Sequence, residues 1–371
     1  MTATKTTQAH MRMHSILQRI ATGPELSKDI SLDEARDATV AVLHDQIDPV
    51  QAALFFIALR MKRESSDEFK GVLDGIREVV DGVTAKVDHV IDIADPYGGY
   101  NRTLPAAPFL PPLLAECGLH PISHGLSAVG PKFGITHHQV LQAAGVDVGL
   151  DSRQAAQRLS DPDTGWAYVD QASFCKPLHD LIPLRTQMIK RQVLTTVEVL
   201  AKPVAGKQQT HFVSGYVHKP YPPVYAMLAR HVGFDSALLI RGVEGGVIPS
   251  LRQDGNYFSY HDRGEEIGVD IHPDMVGITQ TLRAVPLPEN LPKIARPGDE
   301  IAIAVDIKDA ALAAADAGMQ ALNGKQGVTY DSLVYTGALI LKHMRKYDNL
   351  KEAAEAVRAV LDSGKAADRV K

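Results

Sequence analysis

The chain has 371 residues, of which 45% are hydrophobic and 22% are charged, and its formal net charge is -5. This size and balance are typical of a globular protein with a large core, built as two modest domains or as one α/β domain with a helical appendage. The negative charge excludes a general attraction to nucleic acid or to an anionic membrane, but not a local basic patch.

The cysteines and the N-terminus predict the compartment. Cys117 and Cys175 are far apart and lie outside any Cys-x-x-Cys pattern, which is typical of a reducing environment without structural disulfides. Residues 1–8 are polar and lack the apolar stretch of a signal peptide. No apolar run approaches the roughly 20 residues that span a bilayer. We therefore expect a cytoplasmic protein without membrane contact.

The pattern from about residue 11 to residue 83 predicts a helical bundle. Ile16, Leu17 and Ile20 lie on one face of a first helix. The capping-box spacing Ser-x-x-Glu occurs at residues 31–34 and again at 65–68, each time before a helical apolar pattern. Between them, residues 52–59 are apolar on nearly all sides. Such a helix is either buried in a core or covered in an oligomer interface.

Strands and helices then alternate along the chain. A β-rich run from Val87 to Ile93 stops at Asp95 and Pro96. Further elements are expected as helices at 110–117, 139–144, 193–200, 331–346 and 351–361, as strands from 121 and at 237–240 and 301–305, and as loops over 247–297. This alternation predicts a mostly parallel sheet with a ligand beyond the carboxyl ends of its strands, and therefore a cleft at the loop 95–103.

Several familiar motifs are nearly present but fail. Residues 318–325 are one residue too long for a P-loop, and residues 125–130 are one too long for a nucleophile elbow. No His-Glu-x-x-His occurs among the fifteen histidines. The sequence therefore assigns no catalytic residue, and we expect no protein-bound transition metal.

Ordered motifs along nearly the whole chain resemble the anthranilate phosphoribosyltransferase family, which shares its fold with the pyrimidine nucleoside phosphorylases. The segments that carry the resemblance are 47–62, 322–325 and 360–366. It implies a small helical domain (residues 11–85 and 180–203) beside a larger α/β domain with a mostly parallel central sheet (residues 86–179 and 204–371). The ligand cleft would lie between them, and a homodimer would form through the N-terminal helices.

The motifs for the family's donor, phosphoribosyl pyrophosphate (PRPP), are rewritten. The glycine-rich Gly-Thr-Gly-Gly-Asp loop aligns with residues 95–99, and Asn-x-Ser-Thr aligns with 105–108, where the hydroxyls and several N–H donors are absent. Asp95 would also repel phosphate oxygens. The candidate phosphate-binding residues left in this loop are Tyr97, Gly98, Gly99, Asn101, Arg102 and Thr103.

Other family motifs are kept in part. The Lys-His-Gly-Asn-Arg-Ser motif reads Ser-His-Gly-Leu-Ser-Ala, and the Asp-Glu pair that holds magnesium aligns near Val247 and Ile248. Magnesium is therefore expected only if a PRPP site survives, with Glu244 as a single replacement carboxylate. The candidate binding residues outside the loop are His124, Gly125, Lys132, Arg185, Arg191, Arg241 and Glu244. An alternative interpretation assigns these residues no ligand: His124 would be a structural histidine, and the arginines at 185 and 191 would form ion pairs on a helix surface.

Two functions follow from these motifs. The motif Arg-Gly-x-Glu-Gly at 241–245 is close to that of a divergent, non-biosynthetic branch to which nucleic-acid binding is attributed. The first function is therefore binding of a phosphorylated small molecule or a nucleic acid on a degenerate PRPP scaffold. A basic stretch supports the nucleic-acid version, although such a run is usually a solvated helix face. It comprises Lys176, Arg185, Lys190, Arg191, Lys202, Lys207 and Lys219.

The second function is an active phosphoribosyl or pentosyl transferase with an altered donor or acceptor. Arg102, His124, Lys132, Arg185 and Arg191 would then hold the donor and place the acceptor. The sequence leaves open whether the chain is an enzyme.

Overall fold

A computed structural model describes residues 2–23, 25–295 and 298–371, with side chains from residue 8 onward. The N-terminal quarter of the chain is a bundle of α1 (Thr2–Ile20), α2 (Leu32–Leu43), α3 (Pro49–Lys62) and α4 (Ser66–Arg77). In the described part of the chain, no helix combines the length and apolarity needed to cross a membrane.

The rest of the chain alternates strands and helices. The strands are β1 (Val83–Thr84), β2 (His89–Ala94), β3 (Pro121–Gly125), β4 (Ala167–Asp170), β5 (Val204–Ala205), β6 (Gln209–Tyr216), β7 (Ser236–Arg241), β8 (Gly255–Tyr260) and β9 (Ile267–Ile271). The helices are α5 (Leu110–Glu116), α6 (His137–Ala143), α7 (Ser152–Leu159), α8 (Gln171–Phe174), α9 (Lys176–His179), α10 (Ile182–Met188), α11 (Leu194–Val197), α12 (Tyr221–His231), α13 (Ile307–Leu322), α14 (Val328–His343), α15 (Leu350–Ser363) and α16 (Lys365–Asp368).

The main sheet has the strand order β4-β3-β2-β6-β7-β8-β9. The neighbouring strands from β4 to β7 pair in parallel, whereas β8 and β9 add an antiparallel end. The predicted fold class, a helical domain with a larger α/β domain around a mostly parallel sheet, is confirmed. From β2 the chain moves outward to β3 and β4, then returns to the other side of β2 as β6. The strand order therefore reverses between β2 and β6.

Capping and close packing define the bundle. Both predicted capping boxes form: Ser31 accepts the N–H of Glu34, Ser65 accepts that of Glu68, and each glutamate accepts the backbone N–H of its cap in return. The Glu68 side chain is fully buried, and it also accepts the N–H of Ile30 at 3.0 Å and pairs with Lys62 at 2.8 Å. This carboxylate therefore ties the start of α4 to the entry of α2 and the end of α3.

The segment after the first strands returns to the bundle, because α10 contacts α3 and α11 contacts α4. The short strand β5 that follows pairs in parallel with β1. This arrangement is compatible with the predicted discontinuous helical domain, whose boundaries at 11–85 and 180–203 stay a prediction. The predicted helix at 193–200 is partly wrong, because α11 ends at Val197 and a 3-10 turn follows over Glu198–Leu200.

Two further predictions about the second half of the chain are corrected. Residues 301–305 form no strand, because Asp299 caps the N–H groups of Ile301 and Ala302, and the N–H of Ile303 bonds to Lys132. The only ladder contact of this described segment is the isolated bridge between Val305 and Lys293, and the Asp299 side chain and the Lys132 carbonyl satisfy the N–H groups before it. The stretch expected to be loops over 247–297 contains the hairpin of β8 and β9. Residues 296 and 297, at its end, lie outside the described residues.

A cluster of histidines lies at the amino ends of the parallel strands. His89 Nδ1 is 3.2 Å from His211 Nε2, and the Ser236 hydroxyl lies 2.8 Å from both His211 Nδ1 and His343 Nε2. The ring of His261 stacks on that of His343. Burial lowers the pKa of His211 to about 4 and that of His343 well below its usual value. The charged groups beside the cluster are Asp235, Asp262 and Arg345.

This cluster predicts a stability loss in mild acid. In the unfolded chain His211 takes up a proton near pH 6.5, but in the folded protein it does so only near pH 4. The contribution of this residue to the free energy of unfolding should therefore be fully present above pH 6.5 and be lost as the pH falls towards 4. Replacing His211 with Asn should remove up to about 3 kcal/mol of that pH dependence. Urea unfolding between pH 4.5 and 7.5 measures it. The exposed His14→Asn variant should keep the wild-type slope, and equal slopes in all three proteins would contradict the prediction.

Candidate functional site

A cavity of about 170 Å³ opens where β2, β6 and β7 end. Its wall contains residues 96–98 after β2, residues 214–218 at the end of β6, and Glu244 with Gly245 after β7. Side chains between residues 185 and 199 form the opposite wall, together with Arg60, Tyr221 and Tyr225. Open α/β sheets usually bind ligands where the strand order reverses, and this cavity lies at that point between β2 and β6.

The loop after β2 surrounds a carboxylate of the protein itself. The backbone N–H groups of Asn101 and Arg102 donate to Glu244 at 3.1 and 3.0 Å. The Thr103 hydroxyl donates to the same carboxylate at 3.0 Å, and the Lys132 ammonium lies 3.2 Å from it. We call these four donors the anion cradle. Consecutive backbone N–H groups of this kind form a typical binding site for anionic oxygens.

Glu244 and Lys132 meet in a nearly dry environment. Their side chains are 10% and 11% exposed. Burial lowers the pKa of Lys132, and the neighbouring carboxylate acts against this shift. Glu244 has a φ of 54°, in the left-handed region, which costs about 1 kcal/mol for a residue with a Cβ. The chain accepts this strain, and the resulting backbone conformation directs the carboxylate into the cradle.

Glycines let the loops of the site approach one another. Gly99 has a φ of 68°, and a Cβ on it would lie 2.6 Å from the carbonyl oxygen of Ile135. Because Gly99 has no Cβ, the two loops can approach closely enough for Tyr100 and Ile135 to exchange two backbone hydrogen bonds, at 3.0 and 2.7 Å. A Cβ on Gly246 would overlap the Tyr100 hydroxyl. The loops after β2, β3 and β7 therefore interlock around Tyr100.

Asp95 is turned away from the cavity. It is 3% exposed and accepts hydrogen bonds from the Tyr100 hydroxyl at 2.6 Å, His137 Nε2 at 3.0 Å and the N–H of Val247 at 2.9 Å. The sequence-based expectation that it repels phosphate oxygens in the cleft therefore finds no support in its position. The residue instead joins three segments of the chain.

His124 and Gly125 lie inside the α/β domain, behind the cavity wall. His124 Nε2 is 2.8 Å from Asp92 Oδ1, and its Nδ1 pairs with the Tyr97 hydroxyl. Its ring also contacts Phe174 edge-on. The side chain is fully buried and both ring nitrogens have protein partners, so ligand contact by His124 or Gly125 stays a prediction. Tyr97, by contrast, is part of the cavity wall.

The arginine at 185 forms a buried ion pair, not a surface one. Both terminal nitrogens of Arg185 lie 2.7 Å from Glu198 oxygens, and Gln171 contacts the same carboxylate at 3.4 Å. The two paired side chains are each 1% exposed and both line the cavity. The sequence did not predict Glu198 as a site residue, because it lies thirteen residues after Arg185 and this separation matches neither a helical nor a strand repeat.

A second group of missed residues completes the wall beside Arg191. Arg191 is exposed, and Gln192, 1% exposed, has its Nε2 buried without a hydrogen-bond partner among the described residues. The Arg185 Nε is likewise buried and finds no acceptor in the part of the chain that the structure describes. Arg60 lies 5.8 Å above the ring of Tyr221.

Two further predicted residues lie away from the cavity wall. The Arg102 side chain is exposed and only its backbone joins the cradle. Arg241 lies in a separate groove with Lys219, Asp254 and Asp270. The structure therefore brings together at the cavity or its cradle Tyr97, Gly98, Gly99, Asn101, Thr103, Lys132, Arg185, Arg191 and Glu244.

Several cations of the basic stretch have partners within the chain. Lys176 pairs with Asp180 at 2.7 Å, and Arg185 is held by Glu198. Lys202 donates to the Gly233 carbonyl at 2.8 Å and lies over the ring of Phe234. Several of the predicted cations thus have intramolecular partners, and Lys219 lies in the groove of Arg241.

Comparisons with known proteins show what the chain is similar to. The glycosyl transferase family, helical bundle domain, matches residues 14–80. An anthranilate phosphoribosyltransferase of Bradyrhizobium diazoefficiens is 24% identical over 97% of both chains. An uncharacterized protein of Aquifex aeolicus is 29% identical over 60% of this chain and 65% of its own length. The chain is therefore similar to anthranilate phosphoribosyltransferases over nearly its whole length, and its N-terminal helices match the helical bundle domain of the glycosyl transferase family.

Solved structures agree with this fold. The anthranilate phosphoribosyltransferase of Saccharomyces cerevisiae in complex with PRPP and Mg has a TM-score of 0.71 at 16% identity, over 96% of this chain and 95% of that one. The enzyme of Thermus thermophilus has a TM-score of 0.69, with the same identity and coverage. At such low identity, these likenesses establish the fold alone.

The carboxylates near the cavity loops do not fit magnesium. Val247 and Ile248, which align with the family's Asp-Glu pair, are buried in the apolar core. A carboxylate offers about four acceptor positions, and Glu244 already receives four donors. Asp95 receives three donors and is turned away. Glu244 therefore has no free oxygen lone pair for a hard cation, and Asp95 directs its oxygens to protein donors and not into the cavity.

The buried pair of Arg185 and Glu198 predicts a large stability effect. Glu198→Ala leaves an uncompensated buried guanidinium and should destabilise the protein by about 3–5 kcal/mol, measured by urea unfolding. The double variant Arg185→Met, Glu198→Leu removes both charges and should be clearly less destabilised. If the double variant were as unstable as the single one, the pair would owe its effect to packing and not to charge.

Proposed function

We propose that this protein binds a small phosphorylated molecule in the cavity and does not use PRPP with magnesium as a donor. The supporting observation is a surplus of donors in the wall. Among the described residues, the cations Arg60, Lys132, Arg185 and Arg191 line the cavity against the carboxylates Glu198 and Glu244. Glu198 and Glu244 pair with Arg185 and Lys132, which leaves Arg60 and Arg191 without a paired carboxylate in the described part of the wall. The wall therefore favours a ligand with anionic oxygens.

The volume and the aromatic part of the cavity wall restrict the size and type of ligand. Its volume of about 170 Å³ is smaller than the about 300–1,000 Å³ usual for sites that enclose a drug-sized ligand. The rings of Tyr221 and Tyr225, with centroids 6.0 Å apart, form part of its wall. This supports a compact ligand in which one phosphate faces the cations and a ring or sugar contacts the tyrosines.

Binding experiments with single substitutions test this proposal. Arg191→Ala should weaken binding of a sugar phosphate or mononucleotide about tenfold, because it removes an exposed cation from the wall. Isothermal titration calorimetry with a panel of such compounds measures the affinity. The neighbouring Lys190→Ala is the matched control, because Lys190 is also exposed but does not line the cavity. Equal affinity of wild type and Arg191→Ala for every ligand in the panel would refute the proposal.

The same titrations distinguish the alternatives. Binding of PRPP that requires magnesium, followed by pyrophosphate release with an acceptor, would favour the active transferase. Duplex or single-stranded DNA binding with a steep linear dependence of log K on log salt would favour nucleic acid. The dispersed basic stretch gives the nucleic-acid function less support than the cavity gives the small ligand.

We also propose that the chain forms a homodimer through its N-terminal helices. One face of α3 buries Phe55, Phe56 and Leu59 in the core. The other face exposes Val50, Leu54 and Met61, which are 67%, 49% and 75% exposed. Their spacing of four and seven residues places them in one stripe on the helix surface. A second copy of the chain would cover that stripe.

Charge on this stripe tests the dimer. Leu54→Glu combined with Met61→Glu should shift the protein from dimer to monomer in sedimentation-velocity experiments, because buried unpaired carboxylates oppose association. Glu substitution of Leu312, which is 44% exposed on α13, is the control and should leave the mass unchanged. A wild-type monomer at micromolar concentration would contradict the proposal.

A further inference from the structure

The anion cradle is a complete binding site that already holds an anion of the protein. Its two backbone N–H groups, the Thr103 hydroxyl and the Lys132 ammonium all converge within 3.2 Å on the two oxygens of Glu244. These donors match those that hold a phosphate group: adjacent main-chain amides, a hydroxyl and a cation. The site therefore has the chemistry of a phosphate subsite, and its occupant is a side chain.

We propose that Glu244 is a specificity-determining residue that excludes phosphate from the cradle by occupying it. The carboxylate uses all four donors, so an incoming phosphate would have to compete with a covalently tethered acceptor. Glu244 is also part of the cavity wall, so its charge would repel a phosphate placed beside the cradle. The proposed ligand's phosphate must then bind at the donors around Arg191 and Gln192. This last step rests on the proposed function, whereas the exclusion itself does not.

The backbone supports this role for Glu244. The residue holds a left-handed φ of 54° between Val243, buried in the domain, and the close-packed Gly245 and Gly246. Its side chain reaches a loop about 140 residues earlier in the chain, which is itself fixed by the hydrogen bonds between Tyr100 and Ile135. Both the cradle and its occupant are thus held in position by the fold. A carboxylate that formed an incidental ion pair at the surface would not require a left-handed backbone conformation.

The test measures whether removing the carboxylate opens a phosphate site. Inorganic pyrophosphate and inorganic phosphate are titrated calorimetrically, without divalent metal, into wild type, Glu244→Ala and Glu244→Gln. We expect Glu244→Ala to bind pyrophosphate about tenfold or more tightly than wild type. Glu244→Gln should gain less, because its side chain still fills the cradle. The thermal shift caused by pyrophosphate should rise in the same order, which provides a second readout if Glu244→Ala is less stable.

Further variants locate the gained site. Thr103→Val in the Glu244→Ala background removes one cradle donor and should abolish most of the gain. Arg191→Ala in the same background should leave the gain in place, which separates the cradle from the site of the proposed function. Glu116→Ala is the control for loss of an ion-paired carboxylate elsewhere, since Glu116 pairs with Arg369 at 2.6 Å, and it should gain nothing.

Three results would overturn the inference. The first is a Glu244→Ala protein that is folded but binds pyrophosphate no better than wild type. The second is a gain that survives Thr103→Val but disappears with Arg191→Ala. The third is a Glu244→Gln protein that gains as much as Glu244→Ala, since occupation of the cradle would then play no part.

Discussion

Asp95 is a buried carboxylate that accepts hydrogen bonds from three segments of the chain: the Tyr100 hydroxyl, His137 at the start of α6 and the backbone N–H of Val247. Charge-assisted hydrogen bonds of this kind are among the stronger polar contacts in a protein interior. They fix the loop after β2 against both its neighbours. Every position in the cavity wall on this side depends on that junction, because the loop has no secondary structure of its own between Pro96 and Leu104 except the bridges at Tyr100 and Thr103.

The junction also determines what the loop can bind. With Tyr100 held on Asp95 and Ile135, the backbone turns so that the N–H groups of residues 101 and 102 point to one place. The loop after β7, packed on Tyr100 through Gly246, delivers Glu244 to that place. A similar enzyme with this fold has been solved in complex with PRPP and Mg. In the present chain, protein donors already occupy the oxygens of Glu244 at this place.

Local patterns accounted for much of the fold. The capping boxes of α2 and α4 and the strand β2 follow from residues close in sequence, and the structure confirms them. The hairpin of β8 and β9 was missed, because its strands have mixed burial and little alternation. At the site, the partnership of Glu244 with residues 101–103 joins segments more than 140 residues apart. No periodicity or motif encodes such a contact, since it arises from the order in which parallel strands pair.

The occupied anion cradle has a consequence for the rate of ligand association. Loops that close over a ligand lose conformational freedom during association, and the free energy of binding includes that cost. Here the loop after β2 has its hydrogen bonds without any ligand, supplied by an internal carboxylate. Ordering of this loop therefore belongs to folding and not to recognition. A ligand of the proposed kind would meet a wall already fixed on this side, and its association rate would depend on diffusion and desolvation more than on loop closure.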